Sequence, residues 1–329
     1  MGREADRGRE TDAAREAAGL WFTDAELHPF GDGHIHDTYL LHVDGADYVL
    51  QRINEYVFVD AELVMRQVRS LLQHAGGELP FTLPWLVASK SDAMTERTDV
   101  GLWRVWQRLP GVTLQKAEYP QQAFAAGEAF AQLQVATFDL TPKLRPTIDN
   151  FLKLDHYLRG FDSLNGVSDQ HRRLVDEYRY LSEYLQEANA HIHGDCKVDN
   201  LLFSDETLSG GVVGMLDFDT AMFGNRAWDY GDLVRSLNTS AGDVQVDLIA
   251  AAYHGFAAGG VRLGVDEALQ APNYVTFMLG LRFLNDHLCG DPYFKVSQHG
   301  ENLARAEEQF RLLADLQAAE TTLRQAFVS

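Results

Sequence analysis

Residues 191–203 constrain this chain more than any other stretch. They read His191-Ile192-His193-Gly194-Asp195-Cys196-Lys197-Val198-Asp199-Asn200-Leu201-Leu202-Phe203, the densest polar cluster in an apolar setting. Twelve residues beyond Phe203 begins Met215-Leu216-Asp217-Phe218-Asp219. The first stretch has the spacing H-x-D-x-x-x-x-N, and the second sets a carboxylate at the end of an apolar strand. Phosphoryl transfer needs such a set. One carboxylate orients the attacking hydroxyl and accepts its proton, while an amide oxygen and a second carboxylate hold the Mg²⁺ that bridges nucleotide phosphates. Hard Mg²⁺ takes oxygen ligands, and Asn and Asp supply them. A loop followed by a short strand sets Asp195 and Asn200 on one rim, with Asp217 beside them.

Around that segment the pattern changes along the chain. Gly31-Asp32-Gly33 is a turn signal, 38–43 and 48–53 read as strands, and Asp44-Gly45 between them reads as a hairpin turn. Leu63, Val64, Val68, Leu71 and Leu72 follow at helical spacing, with Gly76-Gly77 as the stop. Residues 83–88 and 102–109 read as two further strands. After Pro110-Gly111 helical periodicity dominates, over 121–138, 170–190, 228–238, 244–258, 266–289 and 301–326. Short apolar strands over 200–204 and 212–218 interrupt it. The order predicts an α+β, bilobal molecule: an N-terminal arm or short helix (1–20), a small antiparallel β-rich N-lobe (21–109) and a larger, mainly helical C-lobe (110–329). At 329 residues the length suits two such units.

Charge narrows the partners. The chain carries 48 acidic and 28 basic residues, a net charge of −20. A nucleic-acid-binding face needs clustered Lys and Arg, so nucleic acid is excluded, and an anionic membrane is disfavoured for the same reason. The acids are scattered, which suits a self-repelling surface in a salt-rich solvent or attraction for a cationic substrate. Two cysteines, Cys196 and Cys289, make no disulfide framework and suit a reducing compartment. Residues 1–15 are charged without an apolar core, and Asp6 stands where a myristoylation motif has Ser or Thr. With no run of 18 apolar residues, the expected location is the cytoplasm. Oligomeric state is not legible.

On His193-Gly194-Asp195…Asn200 and Leu216-Asp217-Phe218-Asp219, the chain resembles the protein-kinase-like phosphotransferases, in the aminoglycoside and choline kinase branch. It is most similar to the N-acetylhexosamine 1-kinases, on Gly31-Asp32-Gly33-His34-Ile35…Thr38-Tyr39, Tyr48-Val49-Leu50-Gln51-Arg52-Ile53-Asn54 and Arg282-Phe283-Leu284…Gly290-Asp291-Pro292-Tyr293-Phe294-Lys295. The resemblance runs from about Phe30 to Leu316. It implies ATP and Mg²⁺ as cofactors and a small-molecule acceptor, a sugar phosphorylated on its anomeric hydroxyl. It implies Asp195 as catalytic base, Asn200 and Asp217 as metal ligands, and Asp219 reaching the metal through water or fixing the loop. Gly31 and Gly33 would lie over the phosphates, with Gln51 at the usual third-strand position. Residues Gln107–Leu109 would meet adenine at the hinge. His34, Arg282 and Tyr293 would contact the sugar.

Each signal has a plainer reading. His191, His193 and Asp195 also fit H-x-H-x-D, a zinc-ligand spacing, but Cys196 and Lys197 follow where a further ligand is wanted. His193 reads better as a hydrogen-bonding brace of the loop backbone. Gly31-Asp32-Gly33 equally suits a hairpin turn, because His36 stands where a third Gly would be. Gln51 departs from the kinase pattern, where a Lys pairs the phosphates; without that Lys, Glu62 reads as a solvated surface residue. Asp229 and Asp232, with Arg235, lie at a helix start and read as support for the catalytic loop. Cys196 reads as a small filler. His34 equally suits an exposed turn, Arg282 a helix surface and Tyr293 packing. Three other functions remain open on these residues: the same fold acting on an amine-bearing acceptor (aminoglycoside, choline or amino alcohol), a non-catalytic nucleotide-binding module, and a zinc hydrolase on the H-x-H-x-D stretch.

Overall fold

The computed structural model describes residues 11–31, 35–205, 211–238 and 244–328. The N-terminal part is built on β1 (Glu26–Pro29), β2 (Asp37–Val43), β3 (Ala46–Arg52), β4 (Glu96–Thr98) and β5 (Gly101–Gln107). They form one antiparallel sheet in the order β1-β2-β3-β5-β4. Asp44 and Gly45 take φ of 50° and 81°, which is the left-handed turn geometry that matches strand twist in a tight hairpin.

Alternation along these strands sorts the side chains onto two faces. Tyr39, Leu41, Leu50, Trp103 and Val105 form one face and are buried with Ala14, Ala17, Ala18 and Trp21. The alanines belong to helix α1 (residues 11–18), so this part of the arm read from the sequence lies on the back of the sheet, the rest falling outside the described residues. The other face carries Thr38, Val49, Gln51, Arg104 and Trp106, which line a cleft. Register sets Thr38 opposite Gln51, and Gln51 opposite Arg104.

Helix α2 (Ala61–Ala75) begins where the Asp60 side chain accepts a hydrogen bond from the Leu63 N–H at 2.8 Å. The stretch 83–88 is not a strand. It makes one isolated bridge, Leu86 to Trp106, because Pro84 has no N–H with which to continue a ladder. The edge is taken instead by β4, which is too short and polar to show a strand pattern.

The C-terminal part holds α3 (Pro120–Ala136), α4 (Leu154–Asp162), α5 (Asp169–Tyr178), α6 (Arg226–Leu237), α7 (Val246–Ala258), α8 (Val265–Leu288), α9 (Glu301–Ala318) and α10 (Glu320–Val328). The continuous helix expected over 170–190 stops early. A 3₁₀ turn, Arg179–Glu183, follows α5, and Leu185 turns left-handed with φ 56°. The helix expected over 301–326 is two helices that meet at Ala319. Close packing of α3 on α7 depends on glycine: a Cβ on Gly255 would stand 2.1 Å from the Phe124 carbonyl oxygen, and one on Gly127 would stand 2.4 Å from that of Ala252.

Two small sheets frame the polar segment. β7 (Ala190–Ile192) pairs with β10 (Met222–Gly224), and β8 (Leu201–Phe203) lies between β6 (Val112–Thr113) and β9 (Val212–Met215). The result is a bilobal α+β fold whose cleft, of about 590 Å³, lies between the large sheet and these small ones. Among the described residues, no helix is long and apolar enough to cross a membrane.

Candidate active site

The polar segment leaves β7, crosses a tight loop and returns as β8. Gly194 takes φ 83°, and a Cβ there would stand 2.7 Å from the Thr220 carbonyl oxygen. Only glycine meets both demands. The loop is braced from behind by Asp229 in the first turn of α6. Its two carboxylate oxygens accept from the His193 N–H at 3.0 Å, the Gly194 N–H at 2.9 Å and the Gln134 side-chain amide at 2.9 Å. Full burial pushes the Asp229 pKa up, and these donors hold it back. Among the described residues, Asp232 makes no hydrogen bond to the loop, though its charge is felt by Cys196 and Lys197. It accepts from Arg235 at 2.7 Å within α6.

His193 accepts from the Asp195 N–H on Nδ1 at 3.3 Å and lies 2.8 Å from the Leu216 carbonyl through Nε2. An accepting Nδ1 assigns the proton to Nε2, so the imidazole ties the two polar stretches together as a neutral donor. His191 uses both ring nitrogens on backbone, donating to the Thr137 carbonyl at 2.7 Å and accepting from the Leu144 N–H at 3.4 Å. The H-x-H-x-D stretch is therefore no metal set; its histidines are spent on the fold.

Asp195 Oδ2 accepts from Lys197 Nζ at 2.8 Å and from the Asn200 amide at 3.1 Å. Burial opposes ionisation of Asp195, but the Lys197 ammonium outweighs it and holds the carboxyl below its ordinary range. The same Asn200 amide donates to the Asp195 carbonyl at 2.8 Å. With its nitrogen committed, Asn200 keeps its oxygen for the cleft, which it lines together with Asp217. Asp217 is a non-glycine residue at φ 60°, strain of a kind that persists where surrounding structure holds it. Its side chain reaches solvent in the cleft, but desolvation by the surrounding protein and the nearby carboxylates of Asp219 and Asp195 push its pKa up. Cys196 is fully buried and its thiol is pushed well up by burial, which leaves it an inert filler.

Asp219 has a different environment two residues on. Arg104 donates to both its oxygens, at 2.7 and 2.8 Å, and His36 lies 2.8 Å from Oδ2. Burial opposes its ionisation, but Arg104 and His36 overcome this and hold the carboxyl far below its usual range. Asp219 is thus held to the large sheet through Arg104 and His36. Gln51 accepts from Arg104 Nε at 3.0 Å and from the Trp106 indole at 2.8 Å. It occupies the cleft face where a third-strand Lys is usual, and the cation stands one strand over.

Gly31, Gln51, Gln107, Leu109, Asn200 and Asp217 all line the one cleft. Gly33 and His34 lie outside the described residues. Arg282, on α8, lies with Tyr293: its guanidinium carbon is 5.7 Å from that ring and 5.3–5.5 Å from those of Phe151, Tyr157 and Phe294. Glu62 is exposed. Sequence reasoning missed Arg104, Lys197, His36 and Gln134. Two of these had a signal. Arg104 lies at the alternate position opposite Gln51, and Lys197 lies two residues after Asp195.

Such a sheet-and-helix cleft, with carboxylates on its helical rim, defines the class of kinase-like phosphotransferases. The chain belongs to the phosphotransferase enzyme family, whose sequence profile matches residues 26–263. It is an enzyme of the small-molecule kinase type. Solved structures share the fold. One is an aminoglycoside phosphotransferase from Alicyclobacillus acidocaldarius, 17% identical over 95% of this chain and 96% of that one, TM-score 0.64. Another is a microcompartment-associated aminopropanol kinase, 16% identical over 94% and 98%, TM-score 0.72. A third is the GDP and kanamycin complex of APH(2")-IIia, 13% identical over 92% and 98%, TM-score 0.64. At these identities the likeness is one of fold.

Proposed function

We propose that this protein transfers the γ-phosphoryl group of Mg-ATP to the anomeric hydroxyl of an N-acetylhexosamine or a related sugar, giving a sugar 1-phosphate and ADP. The observation that carries the transfer is the join of Asp195, Lys197 and Asn200 on one loop, with Asp217 across the same rim. Asp195 orients the acceptor hydroxyl and takes its proton. Held below its ordinary pKa it is a weak base, which suits a loose transition state where positioning outweighs base strength. Lys197, anchored on Asp195, brings positive charge toward the transferring group.

The donor set suits Mg²⁺. Asn200 offers an amide oxygen, and Asp217 offers a carboxylate to which no described residue donates a hydrogen bond. Its raised pKa marks a negative charge that a divalent cation relieves. When bound, Mg²⁺ supplies charge neutralisation between β- and γ-phosphates. Asp219, already neutralised by Arg104, instead fastens the sheet to the metal rim. Gly31, Gly33 and Gln51 flank the phosphates, and Gln107 to Leu109 meet the base. The division of labour follows the chain: 21–109 for the nucleotide, 110–329 for catalysis and the acceptor, in the cytoplasm.

A sugar acceptor is favoured by Arg282 and its aromatic surroundings. Among the described residues no carboxylate pairs this guanidinium, and a fixed cation repels an amine. Tyr56, following β3, donates to the Pro292 carbonyl at 2.9 Å, so the Tyr293 loop reaches the sheet side of the molecule. The net charge of −20 favours the second reading, an amine-bearing acceptor. ADP release with Mg-ATP against N-acetylglucosamine, N-acetylgalactosamine, kanamycin, choline and homoserine separates them. Turnover on the acetylated sugars is expected. Turnover confined to the amines would remove His34, Arg282 and Tyr293 from the acceptor site.

A further inference from the structure

Beyond the cleft, the turn from α8 to α9 gathers two imidazoles and a carboxylate. His287 lies in the last turn of α8, Asp291 just past its end, and His299 just before α9. One ligand atom from each lies within 4.8 Å of the other two. His287 Nδ1 is 3.9 Å from Asp291 Oδ1, and His299 Nδ1 is 3.8 Å from Asp291 Oδ2. These gaps are too long for hydrogen bonds. His287 Nδ1 is buried with no partner, although a buried polar atom ordinarily has one.

The carboxylate is also held in place. Asp291 takes φ 60°, and its Oδ1 accepts from Asn302 at 2.9 Å. Asn302 is itself fully buried and donates at 2.9 Å to Asp286. Asp286 in turn accepts the N–H groups of Tyr293 at 2.8 Å and Phe294 at 2.9 Å. A ligand oriented by a second layer of hydrogen bonds is the arrangement found around protein-bound metals.

We propose that His287, Asp291 and His299 bind a Zn²⁺ ion, with water in the fourth position. Two imidazoles and one carboxylate suit this borderline cation, whereas Mg²⁺ takes oxygen ligands. Tetrahedral ligands about 2.0–2.1 Å from zinc stand about 3.3–3.4 Å apart. The three groups, whose ligand atoms lie within 4.8 Å of one another, therefore close by up to about 1.5 Å. His299, with 86% of its side chain exposed, is free to make that movement. The ion staples the end of α8 to the start of α9 and fixes the loop between them. The site stands apart from the nucleotide cleft, so its test needs no turnover.

The test is equilibrium dialysis of the metal-stripped full chain against Zn²⁺ alone, with Co²⁺ as a spectroscopic substitute. The expected result is one Zn²⁺ per chain, a raised Tm, and the intense visible bands of tetrahedral Co²⁺. His299→Ala removes an exposed ligand without threatening the fold, and it should weaken Zn²⁺ binding at least about tenfold. Asp291→Asn should weaken it as well, while Asp217→Asn should leave it intact. Wild-type affinity in His299→Ala and Asp291→Asn would overturn the proposal, as would loss of the bound ion in Asp217→Asn.

Discussion

Asp195, Asp217 and Asp219 are one residue type with three fates, set by their neighbours. Asp195 has an ammonium, Asp219 has a guanidinium and an imidazole, and Asp217 has neither as a hydrogen-bond partner, so the repulsion of Asp219 and Asp195 outweighs the more distant His36 and Lys197. Replacing Asp195 by Ala is expected to lower kcat by about 10²–10⁴, the usual share of a general base. Steady-state ADP release measures it, and near-wild-type kcat would remove Asp195 from the chemistry. Arg104→Ala leaves Asp219 buried with only His36 as partner, so it should cost up to about 3–5 kcal/mol in urea unfolding. The pH dependence follows from the same pairs. Asp195 and Asp219 have folded pKa values below the unfolded value of about 3.9, so their contribution is complete above that value and is lost as pH falls through the folded ones. The urea midpoint should fall as pH drops from about 5 to about 3, and Asp219→Asn should flatten that fall. An equally steep fall in the variant would mean that other carboxylates carry it.

At the scale of elements, the site is a strand–loop–strand braced by the first turn of α6. Asp229→Ala strands the His193 and Gly194 N–H groups, each worth about 1–3 kcal/mol when buried without a partner. Thermal unfolding should shift down, and an unchanged Tm would deny the brace. Gly255→Ala forces α3 away from α7 and should cost about 1–3 kcal/mol, as overpacking does. Much of this level was legible in the sequence. β2, β3 and β5 are short apolar runs, two of them joined by the Asp44-Gly45 turn, and the spacing of Asp195, Asn200 and Asp217 is local to two short stretches. Residues 83–88 were misleading because their apolar texture hides Pro84. The ends at Tyr178 and Ala319 escaped because helical periodicity runs on through both. Arg104 was passed over because its partners, Gln51 and Asp219, lie on a different strand and in the other lobe. That pairing exists only once the sheet closes on the cleft.

The whole molecule joins a sheet lobe to a helical lobe, and Arg104 with Asp219 is one of the buried ties between them. Its bilobal plan was legible from the run of strands followed by the run of helices. The aromatic surroundings of Arg282 were not, because Phe151 and Tyr157 are brought beside it only by tertiary packing. Net charge does not decide the acceptor, since exposed charges are screened beyond about 8 Å at physiological salt. The proposed reaction is Mg-ATP-dependent transfer to an anomeric hydroxyl. It is tested most directly by ADP release with N-acetylglucosamine beside its 1-O-methyl glycoside, which lacks only that hydroxyl. Turnover with the free sugar and none with the glycoside is the predicted result. Equal turnover of both, or turnover with neither while kanamycin or choline is phosphorylated, would contradict it.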